Sequence, residues 1–405
     1  MNEASRQPLI RRITLVSETF APEINGVANT LKHLCQGLSA KGHQVQLVRP
    51  AQKSDHHTAA VSTNEPALIN ELVKVSGLPL PGYTALQFGF ARRKKLQALW
   101  TRQRPDLIYV ATPGPLGVTA VTVARKLGIA VCSGFHTNFH RYSHHYHAAF
   151  LERLLQFYSR WFHNRTSLTL VPTRRMAAQV GAMGIHPVGL WSRGVDCRCF
   201  SPHKRDRQLR TTWGLQPQDR AVLYVGRLAS EKNLQLAVSC FERIRALHPR
   251  ARFVLVGDGP RRERLQQQHP EYVFCGIQKG EALARHYASG DLFLFPSKTD
   301  TFGNVVTEAM ASGLAVVAFD DAAAGEHIRH RENGMLARLD DDEAFVEHAL
   351  TLVQQNTLLG NIRHQARLDA LDLDWSSQVE QFEKLTLKLN RRDRYHAVTK
   401  GISLL

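Results

Sequence analysis

The hydrophobic and polar positions of this chain alternate between two patterns. Short apolar runs rich in β-branched residues, typical of buried parallel strands, are separated by longer amphipathic segments that are typical of helices. In the first half the runs that predict strands are 13–17, 45–48, 107–110, 129–133 and 168–171. The segments that predict helices between them are 27–40, 86–103, 115–127, 148–165 and 173–182.

The second half of the chain repeats the same alternation. Predicted strands lie at 221–226, 252–257, 272–276, 292–296 and 314–319, and predicted helices at 233–247, 260–268, 280–288, 303–312 and 342–354. A repeated strand–helix alternation predicts the α/β class, with two consecutive Rossmann-like domains built on parallel sheets.

The segment 193–220 shows no period and carries many charges, so it is predicted to link the two domains. We divide the chain into an N-terminal domain, a C-terminal domain and a final segment with one more helix at 375–390. That last segment is expected to pack back towards the first domain. The predicted bounds are 1–195, 196–370 and 371–405.

Composition places the chain among ordinary globular proteins. Of 405 residues, 43% are apolar and 21% are charged, and no apolar run reaches the ~18 residues that span a bilayer. The first residues resemble neither a signal peptide nor a transit peptide, so a cytoplasmic location is expected. The six scattered cysteines are expected to be reduced there.

Charge is distributed unevenly between the two halves. Residues 1–200 hold 24 Lys and Arg against 9 Asp and Glu, whereas the remaining residues are nearly neutral. A basic half suggests an anionic partner: nucleic acid, an acidic membrane surface or an acidic acceptor. The segments 86–100 and 150–165 mix aromatic and basic residues, which suits a helix on an anionic membrane or one that packs its aromatics inward.

Three strand ends of the second domain carry glycines. Gly226 is followed by Arg227 and Lys232 just before a helix, where two cations and helix amides would suit a diphosphate. A solvated basic turn would have the same sequence. Two further strand ends contribute Gly257, Asp258 and Ile277.

The segment 296–310 is the most informative. A buried strand ends at Pro296 and a helix is predicted to begin near Gly303, so Asp300 lies in the loop and Glu308 lies one to two turns into the helix. That spacing can place one carboxylate beside a sugar and the other beside a ribose, with free helix amides between them. A carboxylate accepts hydrogen bonds well from two neighbouring hydroxyls.

Together these segments resemble the retaining glycosyltransferases of family 4. The resemblance rests on Gly226-Arg227-Leu228 with Lys232, on the turn 257–260, and on Asp300 and Glu308 with seven residues between them. It extends in order over roughly residues 13–390. It implies the GT-B fold, in which two Rossmann-like domains face a central cleft, and an enzyme similar to bacterial mannosyl- or glucosyltransferases that make glycolipids.

The resemblance also implies a role for each matched residue. Arg227 and Lys232 would bind the donor's diphosphate and stabilise the leaving nucleotide, Asp300 would hold the donor sugar, and Glu308 would bind the ribose. Asp300 stands where the family usually has Glu, so its reach towards the sugar is shorter. The other residues that would bind the donor are Gly226, Gly257, Asp258, Ile277, Phe302, Gly303, Asn304 and Val305.

Two positions of the first domain also match the family. Gly26 lies in the loop after the first strand and would let the backbone approach the donor phosphates or the acceptor. His136 follows another strand, where the family has a histidine near the reacting carbon, and it joins Arg227, Lys232 and Asp300 as a predicted catalytic residue. The histidines that follow could suggest a metal: His140, His144, His145 and His147. No cysteine or carboxylate completes that set, so no metal and no other cofactor is expected.

The predicted reaction moves a hexosyl group, with retention and without a metal, from a nucleotide diphosphate sugar of the UDP-glucose or GDP-mannose type to an acceptor hydroxyl. The acceptor is expected to be a membrane lipid or a lipid-linked sugar, with the enzyme peripheral on the cytoplasmic face of the inner membrane. A soluble sugar acceptor is the alternative. A basic nucleic-acid-binding protein would also explain the charge, but the sequence lacks its motifs. A GT-B epimerase or phosphorylase would share the architecture.

Overall fold

The protein was analysed as a computed structural model, which describes residues 11–23, 25–52, 55, 69–80, 83–136, 149–300, 302–386 and 389. The chain forms two compact units. The first contains residues up to Ser192 together with the residues from Gln378 onward, and the second contains Arg193–Ser377.

The first unit is an eight-stranded sheet flanked by helices. Its strands are β1 Arg12–Val16, β2 Gln44–Pro50, β3 Glu71–Leu80, β4 Tyr83–Phe90, β5 Leu107–Val110, β6 Ala130–Gly134, β7 Leu168–Val171 and β8 Val188–Leu190. Its helices are α1 Gly26–Ala40, α2 Arg93–Arg102, α3 Pro115–Lys126, α4 Ala149–His163 and α5 Arg174–Ala182. The spatial order is β4-β3-β2-β1-β5-β6-β7-β8, with every neighbouring pair parallel except β3 and β4.

The second unit is a six-stranded parallel sheet. Its strands are β9 Ala221–Val225, β10 Arg252–Val256, β11 Val273–Gly276, β12 Leu292–Phe295, β13 Ala315–Phe319 and β14 Met335–Ala337, in the spatial order β11-β10-β9-β12-β13-β14. Its helices are α6 Arg207–Thr212, α7 Leu234–Leu247, α8 Arg262–Gln268, α9 Gly280–Ser289, α10 Asn304–Ala311, α11 Ala322–His327, α12 Asp342–Gln354 and α13 Asn356–Leu371.

Both sheets bury apolar residues on both faces. In the second sheet, Val222 and Phe253 pack under one helical layer and Leu223 and Val254 under the other, because successive strand residues point to opposite faces. Continuous apolar runs are therefore required in the strands. This is why the central strands were predictable from the sequence.

The predicted helix at 86–103 is wrong in its first part. Residues up to Phe90 form β4, an edge strand antiparallel to β3, and α2 begins only at Arg93. Gly89 permits this packing, because a Cβ there would stand 3.0 Å from both Leu116 and Pro50. The half-exposed Phe88 therefore belongs to a strand and not to the basic helix.

The segment 193–220 is folded into the second unit and is not a free linker. Val195 and Trp213 are buried in its core. Arg210, which is also buried, pairs with the buried Asp291 at 3.0 Å, and Arg205 pairs with the same carboxylate at 2.8 Å. The charges of this segment thus face an acidic partner that lies more than 70 residues away in the sequence.

A last helix covers residues 375–386. From Gln378 onward it belongs to the first unit, where Val379 and Phe382 are buried in the core beside α1. Gly37 of α1 leaves the space for this contact, since a Cβ there would stand 2.4 Å from a methyl group of Val379. Glu383 Oε1 adds a hydrogen bond with His43 Nε2 at 2.7 Å.

The helix α4 exposes apolar side chains. Leu154, Phe157 and Trp161 are 53%, 59% and 39% exposed, and their spacing places them on one side of the helix. We call these three residues the α4 face. Arg160 lies over the Phe157 ring at 5.9 Å and Arg165 over the Trp161 ring at 5.0 Å. The expectation that these aromatics pack inward therefore does not hold for Phe157 and Trp161.

Candidate active site

Both sheets have the doubly wound strand order, and each changes direction at one point. The change occurs between β1 and β5 in the first unit and between β9 and β12 in the second. Ligands of such sheets bind outside the carboxyl ends of the strands at this switch point. The predicted site residues of the second unit lie at the carboxyl ends of β9, β10, β11 and β12.

Glycines at the ends of β9 and β10 let two loops lie against each other. Gly257 has φ +139°, and a Cβ on it would stand 2.0 Å from the carbonyl oxygen of Gly226. Gly259 has φ +159°, and its Cβ would stand 2.5 Å from the carbonyl oxygen of Leu228. The Leu228 N–H donates to the Asp258 carbonyl at 2.9 Å. Both glycines are therefore required by close backbone contact.

Lys232 and Asp300 meet across the switch point of the second unit. Lys232 Nζ lies 2.7 Å from Asp300 Oδ1, and both side chains are about four-fifths buried, with 21% and 20% exposure. Thr299 Oγ1 also donates to the carbonyl of Glu231 at 3.1 Å. Asp300 Oδ2 is buried and accepts no hydrogen bond from the residues that the structure describes. The loop after β12 thus presents a carboxylate whose second oxygen is available to a ligand.

Helix α10 begins beside this carboxylate. Gly303 precedes it with φ +85°, and no side chain caps the helix. Asn304 Oδ1 is buried without a hydrogen-bond partner in the described part of the chain. Phe302 is 1% exposed, and its ring faces the Arg193 guanidinium at 5.3 Å. The side chain of Phe302 therefore holds the loop in the core, while the following amides remain at the helix start.

Glu308 lies within α10 and is mostly buried. Its Oε2 accepts a hydrogen bond of 3.0 Å from the Tyr287 hydroxyl. Burial raises the pKa of Glu308 to about 7, against the opposing effect of that hydrogen bond. Burial, the Glu308 charge and the neighbouring Tyr224 in turn raise the pKa of Tyr287.

Tyr224 lies between Tyr287, the hydrogen-bond partner of Glu308, and the Lys232–Asp300 pair, and it interacts electrostatically with Tyr287 and Asp300. Its hydroxyl donates to the Arg227 carbonyl at 3.0 Å, and its pKa is raised by burial and by the charges of Asp300 and Glu231. Tyr224 and Tyr287 were not among the predicted site residues. Their signal in the sequence was weak, because Tyr224 lies inside an apolar strand and Tyr287 inside a helix, where an aromatic residue usually predicts plain core packing.

Three other predicted residues of the second unit, Arg227, Asp258 and Ile277, are exposed, and Val305 is partly buried against the core. Arg227 is 67% exposed at its side chain and lies 3.6 Å from Glu231. Ile277 is 64% exposed just after β11. Asp258 accepts hydrogen bonds from the Gly259 amide and from Arg262, so its carboxylate is already engaged.

In the first unit, His136 follows β6 and is buried. Its Nε2 lies 2.5 Å from the Tyr109 hydroxyl, and its ring packs edge-on near Trp191 at 6.4 Å. Trp191 also contacts Phe382 of the last helix at 5.2 Å between ring centroids. The histidine thus packs against Tyr109 of β5 and Trp191 just after β8, and Phe382 of the last helix packs against both of these rings.

Gly26 is the first residue of α1, and the loop before it is fixed by side chains. Asn25 caps the helix by accepting from the Ala28 amide at 2.8 Å. Glu23 accepts from Thr19 and, at 2.8 Å, from Gln52 at the end of β2. This network holds the backbone near Gly26 in one conformation at the carboxyl edge of the sheet.

One group of side chains in the second unit has the spacing of metal ligands. The four histidines at 140–147 lie outside the described residues. Glu242, His269 and Glu271 place their ligand atoms within 4.8 Å of one another. Arg245 pairs with both glutamates, and Tyr272 donates to Glu242, so this cluster is already neutralised by protein groups.

Comparison with protein families assigns each half of the chain. The model of Glycosyltransferase Family 4 matches residues 24–198, and the model of Glycosyl transferases group 1 matches residues 219–355. Among described helices, none has the length and apolar character needed to cross a membrane.

Individual proteins agree with these assignments. A GDP-mannose-dependent alpha-mannosyltransferase of Mycolicibacterium smegmatis is 33% identical over 84% of this chain and 88% of its own length. The alpha-monoglucosyldiacylglycerol synthase of Acholeplasma laidlawii is 24% identical over 93% and 97%. The solved sucrose-phosphate synthase of Thermosynechococcus elongatus superposes with a TM-score of 0.74 at 18% identity, covering 94% of this chain and 99% of that one.

Two doubly wound parallel-sheet units with these matches define a glycosyltransferase of the GT-B fold. The chain belongs to glycosyltransferase family 4. The predicted α/β class, the GT-B fold and the family resemblance are confirmed.

Proposed function

We propose that this enzyme is a retaining hexosyltransferase that uses a nucleotide diphosphate sugar of the GDP-mannose or UDP-glucose type. The acceptor is the hydroxyl of a membrane lipid or a lipid-linked sugar, and no metal takes part. The observation that carries this proposal is the switch point of the second unit, where Lys232, Asp300 and the start of α10 lie together.

The Lys232–Asp300 pair suits a donor that carries both a diphosphate and a sugar. A diphosphate attracts Lys232 more strongly than a single carboxylate does, because it carries more negative charge. Once Lys232 turns to the phosphates, both oxygens of Asp300 are free to accept hydrogen bonds from vicinal sugar hydroxyls. Arg227, which is exposed, adds a second cation for the leaving nucleotide.

Glu308 suits the ribose of the same donor. Its carboxyl group is largely buried and receives one hydrogen bond from Tyr287, so further acceptor capacity is left for two ribose hydroxyls. The relatives support this choice of donor, since one is named for GDP-mannose and solved neighbours contain UDP or UDP-glucose.

Retention follows in this proposal from a front-face reaction. The bond between the sugar and the distal phosphate breaks while the acceptor oxygen attacks from the same side, and the departing phosphate takes the acceptor's proton. Lys232, Arg227 and the α10 amides stabilise the charge that develops on that phosphate, which makes a divalent ion unnecessary. His136, fixed by Tyr109, orients the sugar or the acceptor.

The α4 face supports a lipid acceptor. Three exposed apolar side chains beside Arg153 and Arg160 suit the boundary between headgroups and acyl chains of an anionic membrane. One relative is named for the synthesis of a glucosyldiacylglycerol. The free thiols of all six cysteines suit a reducing compartment, so we place the enzyme on the cytoplasmic face of the membrane.

A thermal-shift panel of nucleoside diphosphates and nucleotide sugars tests the donor site. One nucleotide should raise the melting temperature, since it binds only the folded state. The Lys232→Ala variant should lose the shift, whereas Lys204→Ala, which removes an exposed lysine paired with Glu281, should keep it. An unchanged shift in Lys232→Ala would refute the donor site. Anomeric analysis of the product and assays with EDTA test retention and metal independence.

Flotation with liposomes tests the membrane surface. Wild type should float with vesicles that contain phosphatidylglycerol and should remain at the bottom with pure phosphatidylcholine. Replacing Phe157 and Trp161 by Ser should abolish flotation, and Leu247→Ser, which changes an exposed leucine of the second unit, should not. Equal flotation of all variants would exclude the α4 face as the contact.

A further inference from the structure

Glu18 occupies the switch point of the first sheet. It stands two residues after β1, and its backbone N–H donates at 2.9 Å to Thr112 Oγ1, which follows β5. Its carboxyl oxygen Oε1 accepts from the Leu116 amide of α3 at 3.2 Å and from the Gly89 amide of β4 at 3.4 Å. Glu18 therefore lies where a doubly wound sheet binds its ligand.

The second carboxyl oxygen of Glu18 has no backbone donor and no cation. Within the described residues both amides donate to Oε1, the Thr112 hydroxyl is the one side chain that hydrogen-bonds the carboxyl, and no Lys or Arg pairs with it, so Oε2 keeps a lone pair for a ligand. Gly114 leaves the space in which Oε2 lies, since a Cβ there would stand 1.8 Å from it. Burial raises the pKa of Glu18 to about 7, against the opposing hydrogen bonds from Leu116, Gly89 and Thr112.

This arrangement selects against an anionic ligand. In doubly wound sheets the amides at the start of a helix are the usual contact for a phosphate. Here the Glu18 carboxyl already occupies the start of α3, and it would repel a second negative charge. A hydroxyl can instead donate to the ionised carboxyl or accept from the protonated one, so an uncharged alcohol fits Oε2 in either state.

The surroundings of Glu18 continue into α4. The Tyr158 hydroxyl of α4 donates to the Pro113 carbonyl just before α3, and burial together with the Glu18 charge raises the pKa of Tyr158. The Tyr158 ring stacks on Trp161 of the α4 face at 5.9 Å. A ligand with a polar end at Glu18 can therefore lay an apolar part along α4.

We infer that Glu18 binds the reacting end of the acceptor, and that this end is the free hydroxyl of an uncharged glycerolipid whose acyl chains lie along the α4 face. The inference rests on the proposed function for the presence of a lipid acceptor. It adds the residue that holds the hydroxyl, and it excludes a phosphorylated headgroup at that position.

Titration calorimetry with two matched short-chain lipids tests the inference without turnover. Wild type should bind 1,2-dihexanoylglycerol and should bind dihexanoyl phosphatidic acid at least tenfold more weakly. The Glu18→Ala variant should bind the glycerol lipid about tenfold more weakly, the loss expected for a hydrogen bond to a charged group. The Glu18→Gln variant should keep most of that affinity and lose the discrimination against the phosphatidic acid.

A second variant leaves residue 18 unchanged. The Gly114→Ala variant places a methyl group where Oε2 lies, so it should weaken binding of dihexanoylglycerol as Glu18→Ala does. Equal affinity of wild type, Glu18→Ala and Gly114→Ala for dihexanoylglycerol would overturn the inference, as would preference of wild type for the phosphatidic acid. The nucleotide-induced thermal shift should persist in every variant. Its absence in wild type would count against the proposed donor, while the lipid titrations would still decide the role of Glu18.

Discussion

The two switch points of this enzyme have the same topology and opposite chemistry. In the second unit a lysine and an aspartate pair at 2.7 Å beside an uncapped helix start, so incoming phosphates find a cation and free amides. In the first unit a glutamate without a cationic partner among the described residues fills the corresponding helix start. The same topology thus supplies two positions for ligands, and the side chain at each position decides whether an anion or a hydroxyl binds there.

We expect the largest change in stability at the amino end of β12, opposite the ligand site, where a buried ion-pair cluster stabilises the second unit. Asp291, just before β12, pairs with Arg205, Arg210 and Arg363, and these cations hold its pKa low although burial opposes this. Asp291→Asn leaves buried guanidinium groups without a counter-charge. We therefore expect the free energy of unfolding to fall by about 3–5 kcal/mol, the range typical of a buried ion pair that has lost one partner. Urea denaturation measures it.

The aspartate after the same strand is the control for that change. Asp300→Asn should lower the unfolding free energy less than Asp291→Asn does, because Asp300 is one-fifth exposed and pairs with one cation, whereas Asp291 is 3% exposed and pairs with three. It should raise the KM for the nucleotide sugar roughly tenfold. If Asp300→Asn destabilised the protein as much as Asp291→Asn, the carboxyl edge would be structural and the contrast between the switch points would fail.

Two glycines, one at each switch point, should differ in how much a substitution by alanine destabilises the protein. Gly257→Ala places a methyl group 2.0 Å from a backbone carbonyl at φ +139°, so it should cost about 2–3 kcal/mol and weaken nucleotide binding. Gly114→Ala meets only the end of a flexible glutamate side chain, which can move aside. It should cost less than about 1 kcal/mol. Thermal and urea unfolding of both variants measure the difference, and equal losses would contradict it.

The sequence predicted the central strands of both units, because buried parallel strands need continuous apolar runs such as 292–296. It did not predict β4, since Phe88 and Phe90 pair with Leu78 and Ser76 of β3, a segment that was itself not predicted as a strand. The segment 193–220 was predicted to be a linker, because Asp291, the partner of its charges, is far away in the chain.

More of the candidate site could be predicted from the sequence in the second unit than in the first. Lys232, Asp300 and Glu308 could be named because the family resemblance marks them, and their roles remain predictions. Glu18 begins the loop in which the resemblance marks Gly26, but no role was predicted for Glu18 itself. Its role depends on amides from α3 and β4, which meet it only in the folded sheet.

The two glutamates of the switch points allow a test by pH. Burial raises the pKa of both Glu308 and Glu18 from 4.5 to about 7, so between these values the folded protein binds more protons than the unfolded chain. Stability should therefore fall as pH rises from 4.5 through 7. Glu308→Gln should remove part of this fall. Its effect on the free energy of unfolding should be more favourable at pH 8.5 than at pH 4.5 by on the order of 2 kcal/mol.

Urea denaturation of wild type, Glu308→Gln and Glu18→Gln at pH 4.5 and 8.5 measures this dependence. In both variants the free energy of unfolding should depend less on pH than in wild type, since each variant removes one buried carboxyl whose ionisation destabilises the folded protein. A profile for either variant that runs parallel to wild type would mean that its carboxyl is not desolvated in the folded protein.

The smallest effect concerns the exposed partner of Arg227. Glu231 lies 3.6 Å from Arg227, and both side chains are well exposed, so Glu231→Gln should change the unfolding free energy by less than about 0.5 kcal/mol. It should, however, leave Arg227 without a competing anion and strengthen nucleotide binding about twofold at low salt, an effect that 0.5 M salt should remove because exposed charges are screened. Weaker binding in Glu231→Gln would show that Glu231 positions Arg227 for the phosphates and does not compete with them.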